Sequence, residues 1–122
     1  MGDLRERTKQ FALRVVRMYS VLPKTTEAQV IGKQVLRSGT AVGAHYREAY
    51  RSRSDAEYIA KIELALQELE ETAYWFELLI GAEILSQQRL DALQNELNEI
   101  AAMLVTCAKR AKSKTPQHNK GT

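Results

Sequence analysis

The chain has 122 residues, of which 44% are hydrophobic and 27% are charged, and it contains one cysteine. This is the composition of an ordinary soluble domain, and the length suits a single core. One cysteine excludes an internal disulfide, and no apolar run reaches the length of a signal peptide or a membrane span. These features predict a cytoplasmic protein with no membrane partner.

The net charge of +3 is unevenly distributed along the chain. Residues 1–61 carry a charge of +6, residues 62–108 carry −8, and residues 109–122 carry +5. Such a split indicates either a basic face for nucleic acid or oppositely charged helices that lie side by side.

Hydrophobic periodicity predicts four helices, over residues 3–20, 26–50, 55–80 and 87–112. Asp3, Thr25 or Thr26, and Ser54 or Asp55 are suited to cap the first three helices. The turns between them are short, so we predict an all-α fold, an antiparallel up-down-up-down four-helix bundle of residues 1–112. Residues 113–122 are polar and basic, and they are predicted to form a disordered tail.

Helix three has two rows of side chains at helical spacing, whereas helix four has one row that includes Cys107. A helix with two such rows is either central in its own bundle or also faces another subunit. The place of Cys107 in its row predicts a packing role rather than a nucleophile. The main row of helix three, spaced as in an antiparallel bundle, comprises Ile59, Ile62, Leu66, Leu69, Ala73, Phe76 and Ile80. The second row comprises Leu64, Glu68, Glu71, Trp75 and Leu78.

Helix two contains three glycines, although each glycine costs about 1 kcal/mol relative to alanine inside a helix. They indicate a face where another backbone comes close, either in tight packing, which we favour, or in a shaped site. If helices two and three form a hairpin, residues at the same level have numbers that add up to about 105. The predicted opposite pairs are Gly43 with Ile62, Gly39 with Leu66, and Gly32 with Ala73.

The same register predicts partly buried charge pairs between helices two and three. Arg37 is placed opposite Glu68, and Lys33 is placed close to Glu71. Loss of one partner of a buried pair would leave the other charge uncompensated, whereas an exposed pair would contribute little.

His45 is the one histidine within a predicted helix, and Glu48 lies within hydrogen-bonding reach at i+3. We interpret His45 as structural, because catalysis would also need a nucleophile or an acid beside it. Di-iron bundles repeat Glu-x-x-His on paired helices. Here the order is reversed and occurs once, which predicts no metal centre and no cofactor.

Three segments carry a family resemblance: residues 37–44 (RSGTAVGA), 46–49 (YREA) and 71–79 (ETAYWFELL). In these segments the chain resembles the small four-helix-bundle proteins first noted as products of intervening sequences in bacterial large-subunit ribosomal RNA genes. That family often has asparagine where this chain has His45. The resemblance implies a homopentameric ring without enzymatic activity. It also implies a link to nucleic acid, by analogy with related bundle proteins that accompany retroelement reverse transcriptases.

Two functional hypotheses remain open. The first is a homo-oligomeric adaptor that binds RNA or DNA phosphates in a salt-sensitive manner; the second is a structural protein–protein interaction module with no nucleic-acid binding. An enzyme is not favoured, because no convergent set of titratable groups is present. The nucleic-acid-binding candidates are Arg14, Arg17, Arg47, Arg51, Arg53 and Lys61, with the basic tail. Helix packing or an interface is assigned to Gly32, Gly39, Gly43, His45, Glu48, Glu68, Glu71, Trp75 and Leu78.

Overall fold

Four α-helices make up the described part of the chain, residues 3–114 of a computed structural model. Every predicted helix boundary is met to within one residue, and the all-α class is confirmed. Ser113, predicted to begin the tail, is instead the last residue of α4, and Lys114 caps that helix. The rest of the predicted tail, residues 115–122, lies outside the described residues. The helices are α1 (Leu4–Ser20), α2 (Thr26–Tyr50), α3 (Asp55–Gly81) and α4 (Gln87–Ser113).

Each helix begins at a polar side chain that accepts a hydrogen bond from a backbone N–H group of the first turn. Such a cap stabilises a helix by about 0.5–2 kcal/mol, because it satisfies a donor that has no partner inside the helix. The four caps are Asp3, Thr25, Ser54 and Ser86.

Neighbouring helices run in opposite directions. A Cβ atom built on Gly43, near the end of α2, would lie 3.0 Å from the hydroxyl oxygen of Thr8, near the start of α1. Lys112 Nζ, at the end of α4, lies 3.0 Å from Glu63 Oε2 near the start of α3. Because α1 also contacts α4, the four helices form the predicted antiparallel bundle. Within residues 3–114, no helix combines the length and the apolarity that crossing a membrane requires.

The fully buried row of α3 differs from the predicted main row. Ile62, Leu69 and Phe76 are buried as predicted, but Ile59, Leu66, Ala73 and Ile80 are only half-buried. The hydroxyl groups of Ser38 on α2 and Thr72 on α3 lie 2.7 Å apart, so α2 approaches closest on the side of α3 that carries small residues. The residues that complete the buried row are Ala65, Thr72 and Leu79.

The glycines of α2 face α1, so the prediction that they pack against helix three is wrong. A Cβ atom built on Gly39 would lie 3.0 Å from a methyl group of Val15, and one on Gly43 would lie 3.0 Å from the hydroxyl oxygen of Thr8. A Cβ on Gly32 would collide with Leu22. The glycines therefore let the backbone of α2 lie close to the side chains of α1.

The second row of α3 is only partly covered. Leu64 is 38% exposed, whereas Trp75 and Leu78 are half-buried, and Trp75 packs against the edge of the core. Among residues 3–114, the buried Nε1 of Trp75 has no hydrogen-bond acceptor. The exposed ring of Tyr74 meets the indole edge-on, with the ring centroids 5.1 Å apart.

Candidate functional site

His45 and Glu48 form the predicted i+3 pair, with His45 Nδ1 3.3 Å from Glu48 Oε1. Lys61 Nζ lies 3.1 Å from the same carboxylate oxygen. The hydrogen bond from Lys61, and then the one from His45, lower the pKa of Glu48 from its ordinary value. Because Lys61 is engaged with Glu48, its charge is directed at α2 rather than at a ligand.

Glu68 continues this polar contact between α2 and α3. Its Oε2 lies 3.7 Å from His45 Nε2, and its Oε1 lies 3.2 Å from Arg37 Nη1. Arg37 also binds Glu71 through Nη2, in the place where the sequence predicted Lys33. Only Glu68 is well covered, with 17% of its side chain exposed, compared with 50% for Arg37. The network therefore joins two helices along a half-exposed seam.

This seam supplies no catalytic or metal-binding arrangement. In the part of the chain that the structure describes, no group of three or more His, Cys, Asp or Glu side chains could hold a metal ion. Each carboxylate of the seam is already matched by a cation or by the imidazole, which suits a structural role.

At one end of the bundle, in contrast to the seam between α2 and α3, several cationic side chains lack carboxylate partners. The antiparallel topology brings together the start of α1, the α2–α3 turn and the end of α4. There the structure forms an open cleft of about 490 Å³, lined among others by Arg53, Arg110 and Lys114. Within residues 3–114, the end of α2, the turn after it and the end of α4 contribute six cationic side chains that have no carboxylate within salt-bridge distance: Arg47, Arg51, Arg53, Lys109, Arg110 and Lys114. Arg5, at the start of α1, lies over the Tyr50 ring of the cleft and has no such partner among the described residues either. We call these six residues the basic end.

A second cavity of about 380 Å³ adjoins the cleft, because Cys107 and Arg110 line both. The other apolar walls of this cavity are Leu4, Tyr46 and Met103. Cys107 packs half-buried against the edge of the core and also forms part of this wall. Burial, followed by a hydrogen bond with Cys107, raises the pKa of Tyr58, which lines the cleft.

Arg14 and Arg17 lie at the other end of the bundle. With Arg89 they line a cleft of about 300 Å³ between the end of α1 and the start of α4. The six predicted nucleic-acid candidates are therefore divided. Arg47, Arg51 and Arg53 belong to the basic end, Arg14 and Arg17 lie far from it, and Lys61 is paired with Glu48.

The sequence analysis did not assign binding roles to Arg89 and Arg110. Arg110 is in the last turn of α4, where the helix dipole favours a cation, and Arg89 is in the first turn, where a cation is most simply interpreted as a solvated charge. The topology itself was the missing signal, since an up-down-up-down bundle places the end of helix four beside the helix two–three turn.

The fold places this protein in the class of small all-α four-helix bundles. Its described polar side chains mainly join neighbouring helices, and a group of cations lies at one end. Within that class the chain belongs to the family described as 23S rRNA-intervening sequence protein, whose family model matches residues 3–106. The predicted membership is therefore confirmed.

A solved structure from Bacteroides thetaiotaomicron is similar to this chain over nearly the whole bundle. It is described as a protein of unknown function from the S23 ribosomal protein family. It has 37% sequence identity and a TM-score of 0.83, and the match covers 88% of this chain and 99% of that one. A comparison with curated proteins gave no match.

Proposed function

We propose that the protein is a non-enzymatic, homo-oligomeric bundle protein that binds the phosphate backbone of RNA or DNA through its basic end. The observation that carries this proposal is the group of six cations there without carboxylate partners. Elsewhere along the described bundle, Arg7 and Arg37 are each matched by two glutamates, while other cations without a carboxylate partner, such as Arg14 and Arg17, are not gathered in such a number at one end. The contrast favours an external anion as the partner of the basic end.

The cleft geometry suits phosphate groups. Arg53 and Arg110 offer guanidinium groups, which bind phosphate oxygens through two parallel hydrogen bonds, and Lys114 adds a mobile point charge. Asp55, in the first turn of α3, also lines the cleft, and the carboxylates of Asp55 and Glu57 already occupy the end of α3 where the helix dipole favours negative charge. The phosphate is therefore assigned to the three cations and not to the start of α3. Backbone contacts of this kind are almost independent of nucleotide sequence.

Assembly of several copies is proposed from apolar side chains on the outer surface. Val30 is 58% exposed, Tyr74 is 52% exposed and Leu64 is 38% exposed, on α2 and α3. A second copy packed on this surface would remove these side chains from water. The pentameric ring implied by the family resemblance would repeat the basic end in every subunit, so weak phosphate contacts would add up.

A salt titration tests nucleic-acid binding. Fluorescence anisotropy with labelled RNA and DNA single strands should show that the logarithm of the binding constant falls linearly with the logarithm of salt concentration. Replacing Arg47, Arg51 and Arg53 together by glutamine should reduce the slope by about 2, since each single-strand phosphate contact contributes about 0.7. The matched control is Arg14→Gln with Arg17→Gln at the other end. An affinity for nucleic acid that changes neither with salt concentration nor with the triple substitution would contradict the proposal.

A mass measurement in solution tests the assembly. Light scattering on the purified chain should give a multiple of the 13.8 kDa protomer, five for the ring, and Tyr74→Glu should lower that number. Arg89→Glu, which changes charge in the cleft between the end of α1 and the start of α4 rather than at an exposed apolar side chain of α2 or α3, is the control. A protein that stays monomeric at high concentration would remove this part of the proposal.

The exposed apolar residues also support the alternative function, a structural protein–protein module without nucleic-acid binding. That function predicts a mixed complex with a defined protein and no effect of Arg47, Arg51 or Arg53. The same triple variant therefore separates the two candidates.

A further inference from the structure

The basic cleft and the apolar cavity beside it form one continuous two-part site. Cys107 and Arg110 line both parts. The rings of Tyr46, in the apolar part, and Tyr50, in the cationic part, are 6.4 Å apart between centroids. A ligand that spans both parts must therefore carry an anion next to a flat apolar group.

We propose that this end of the bundle binds an unpaired nucleotide of a single strand, with its phosphate in the cationic cleft and its base in the apolar cavity. This inference rests on the proposed binding of nucleic acid and adds the class of strand that is bound. A nucleotide is the part of a nucleic acid that joins a phosphate to an aromatic heterocycle.

The apolar part is suited to a base in size and in chemistry. Its volume of about 380 Å³ lies near the lower limit of small-molecule sites, which are about 300–1,000 Å³. Leu4 is only 6% exposed and closes the bottom, while Tyr46 and the thioether of Met103 offer surfaces that pack on an aromatic ring. The Asp3 carboxylate and the Thr106 hydroxyl also line the cavity. Oδ1 of Asp3 accepts from the Arg5 backbone N–H and the Thr106 hydroxyl donates to the Ala102 carbonyl, so Oδ2 of Asp3 and a lone pair of Thr106 are the acceptors left for the edge of the base.

Tyr50 provides a second aromatic surface at the entrance. It is 61% exposed, and the guanidinium carbon of Arg5 lies 4.9 Å from its ring centroid. Arg5 holds this ring by a cation–π contact and adds positive charge beside it. Aromatic rings interleaved with cations are the usual surface for single strands, because bases stack on the rings while cations follow the backbone.

A duplex cannot use the apolar cavity, since its bases are paired and stacked inside the helix. Backbone binding alone would accept a duplex and a single strand alike. The preference for an unpaired base is therefore what distinguishes this inference from the proposed function.

Three probes on the full chain test it by fluorescence anisotropy at one salt concentration. They are a short oligothymidylate strand, a strand of equal length whose sugars carry no bases, and a duplex of equal length. The oligothymidylate should bind at least about fivefold more tightly than the abasic strand, since both have the same charge and stacking of a base contributes the difference. It should also bind more tightly than the duplex.

The matched variants are Thr106→Trp and Val105→Trp on α4. Thr106 is exposed and lines the apolar cavity, so the indole fills it; Val105 is the next residue, is 39% exposed and does not line it. Thr106→Trp should reduce oligothymidylate affinity to the level of the abasic strand and leave abasic binding unchanged, whereas Val105→Trp should change neither. If circular dichroism shows that Thr106→Trp is unfolded, Thr106→Met serves the same purpose with a smaller side chain.

Equal binding of the thymidylate and abasic strands, or a duplex that binds as tightly as the single strand, overturns the inference and leaves the proposed backbone binding intact. Absence of binding by every probe at low salt overturns both.

Discussion

The Cβ atom that alanine would place at Gly39 lies 3.0 and 3.1 Å from the two methyl groups of Val15. Val15 is fully buried, and its branched side chain has one strongly preferred rotamer in a helix. Neither methyl group can move aside without disturbing the core between α1 and α2. Gly39 thus fixes how closely these two helices pack.

Gly39→Ala should therefore destabilise the protein, although alanine is the better helix former. Overpacking costs about 1–3 kcal/mol, against a propensity gain of about 1 kcal/mol, so we expect a net loss of up to about 2 kcal/mol in the free energy of unfolding. The control is Gly81→Ala, where a Cβ would meet nothing within 4 Å. Urea denaturation should show no loss for Gly81→Ala, and equal stability of the two variants would contradict the packing argument.

The register of α2 and α3 could be predicted from the sequence. That register alone does not tell which helix the glycines of α2 face. Counting back from the turn correctly placed Arg37 level with Glu68. Level residues need not face each other, because successive residues turn by about 100° around a helix. Gly39 lies two residues after Arg37, about 200° around α2, so the two cannot both face α3. That constraint was present in the sequence.

Arg7 on α1 joins this helix to α4 through hydrogen bonds to two glutamates. Its Nε and Nη2 donate to the two carboxylate oxygens of Glu96 at 3.0 and 2.7 Å, and Nη2 also lies 2.7 Å from Glu99 Oε1. Hydrogen bonds to Glu96 and then Glu99 raise the pKa of Arg7. Sequence analysis did not find this contact, which we call the Arg7 clamp. Arg7 and Glu96 are 89 residues apart, and α1 and α4 are not consecutive helices, so no hairpin register relates them.

Arg7→Gln should lower the free energy of unfolding by about 1–3 kcal/mol, since it leaves the Glu96 carboxylate without its two-pronged partner. The lower part of that range is expected because 21% of the Glu96 side chain is exposed to water. Arg17→Gln is the control, because the Arg17 guanidinium has no carboxylate partner among residues 3–114 and its loss should matter by less than about 0.5 kcal/mol. Urea denaturation at low and high salt measures both, and indistinguishable variants would rule out the clamp.

Tyr58 should make the protein sensitive to alkaline pH. Burial raises the pKa of Tyr58, and the hydrogen bond with Cys107 adds to the effect. Because the folded pKa is above the unfolded one, this contribution to stability is complete below about pH 10 and is lost as the pH rises through the folded value. Tyr58→Phe should therefore lose less stability above pH 10 than the parent protein.

Chemical denaturation at a series of alkaline pH values measures this loss. The control is the comparison of the two proteins at pH 7, where the phenol of Tyr58 is protonated in the folded and the unfolded state, so the difference between them there measures only the loss of the hydroxyl group. A Tyr58→Phe protein that declines as steeply as the parent would show that other groups cause the loss.

The site at the basic end was harder to predict from the sequence than the polar contacts between α2 and α3, because it depends more on tertiary structure. Arg53 and Arg110 are 57 positions apart in the sequence, and only the bundle topology brings them to one cleft. The sequence could show the charge excess in the helix two–three turn and after residue 108. The apolar cavity beside it needs the positions of Leu4, Tyr46 and Met103 on three helices, which periodicity does not provide.

Glu48 should be the acid-sensitive member of the α2–α3 seam. Its pKa is lowered from the ordinary value of 4.5 by the hydrogen bond from Lys61 first and by that from His45 second. A carboxylate with a lowered folded pKa stabilises the protein above its unfolded pKa, and this contribution is lost as the pH falls through the folded value.

Lys61→Met should therefore raise the pKa of Glu48 toward 4.5, and His45→Asn should raise it less. NMR titration of the Glu48 side-chain carboxyl carbon reports this pKa directly, with the parent protein titrated under the same conditions as the reference. A larger shift for His45→Asn than for Lys61→Met would reverse the order of the two contacts, and it would make the imidazole, rather than the ammonium group, the main partner that holds Glu48 ionised at the seam.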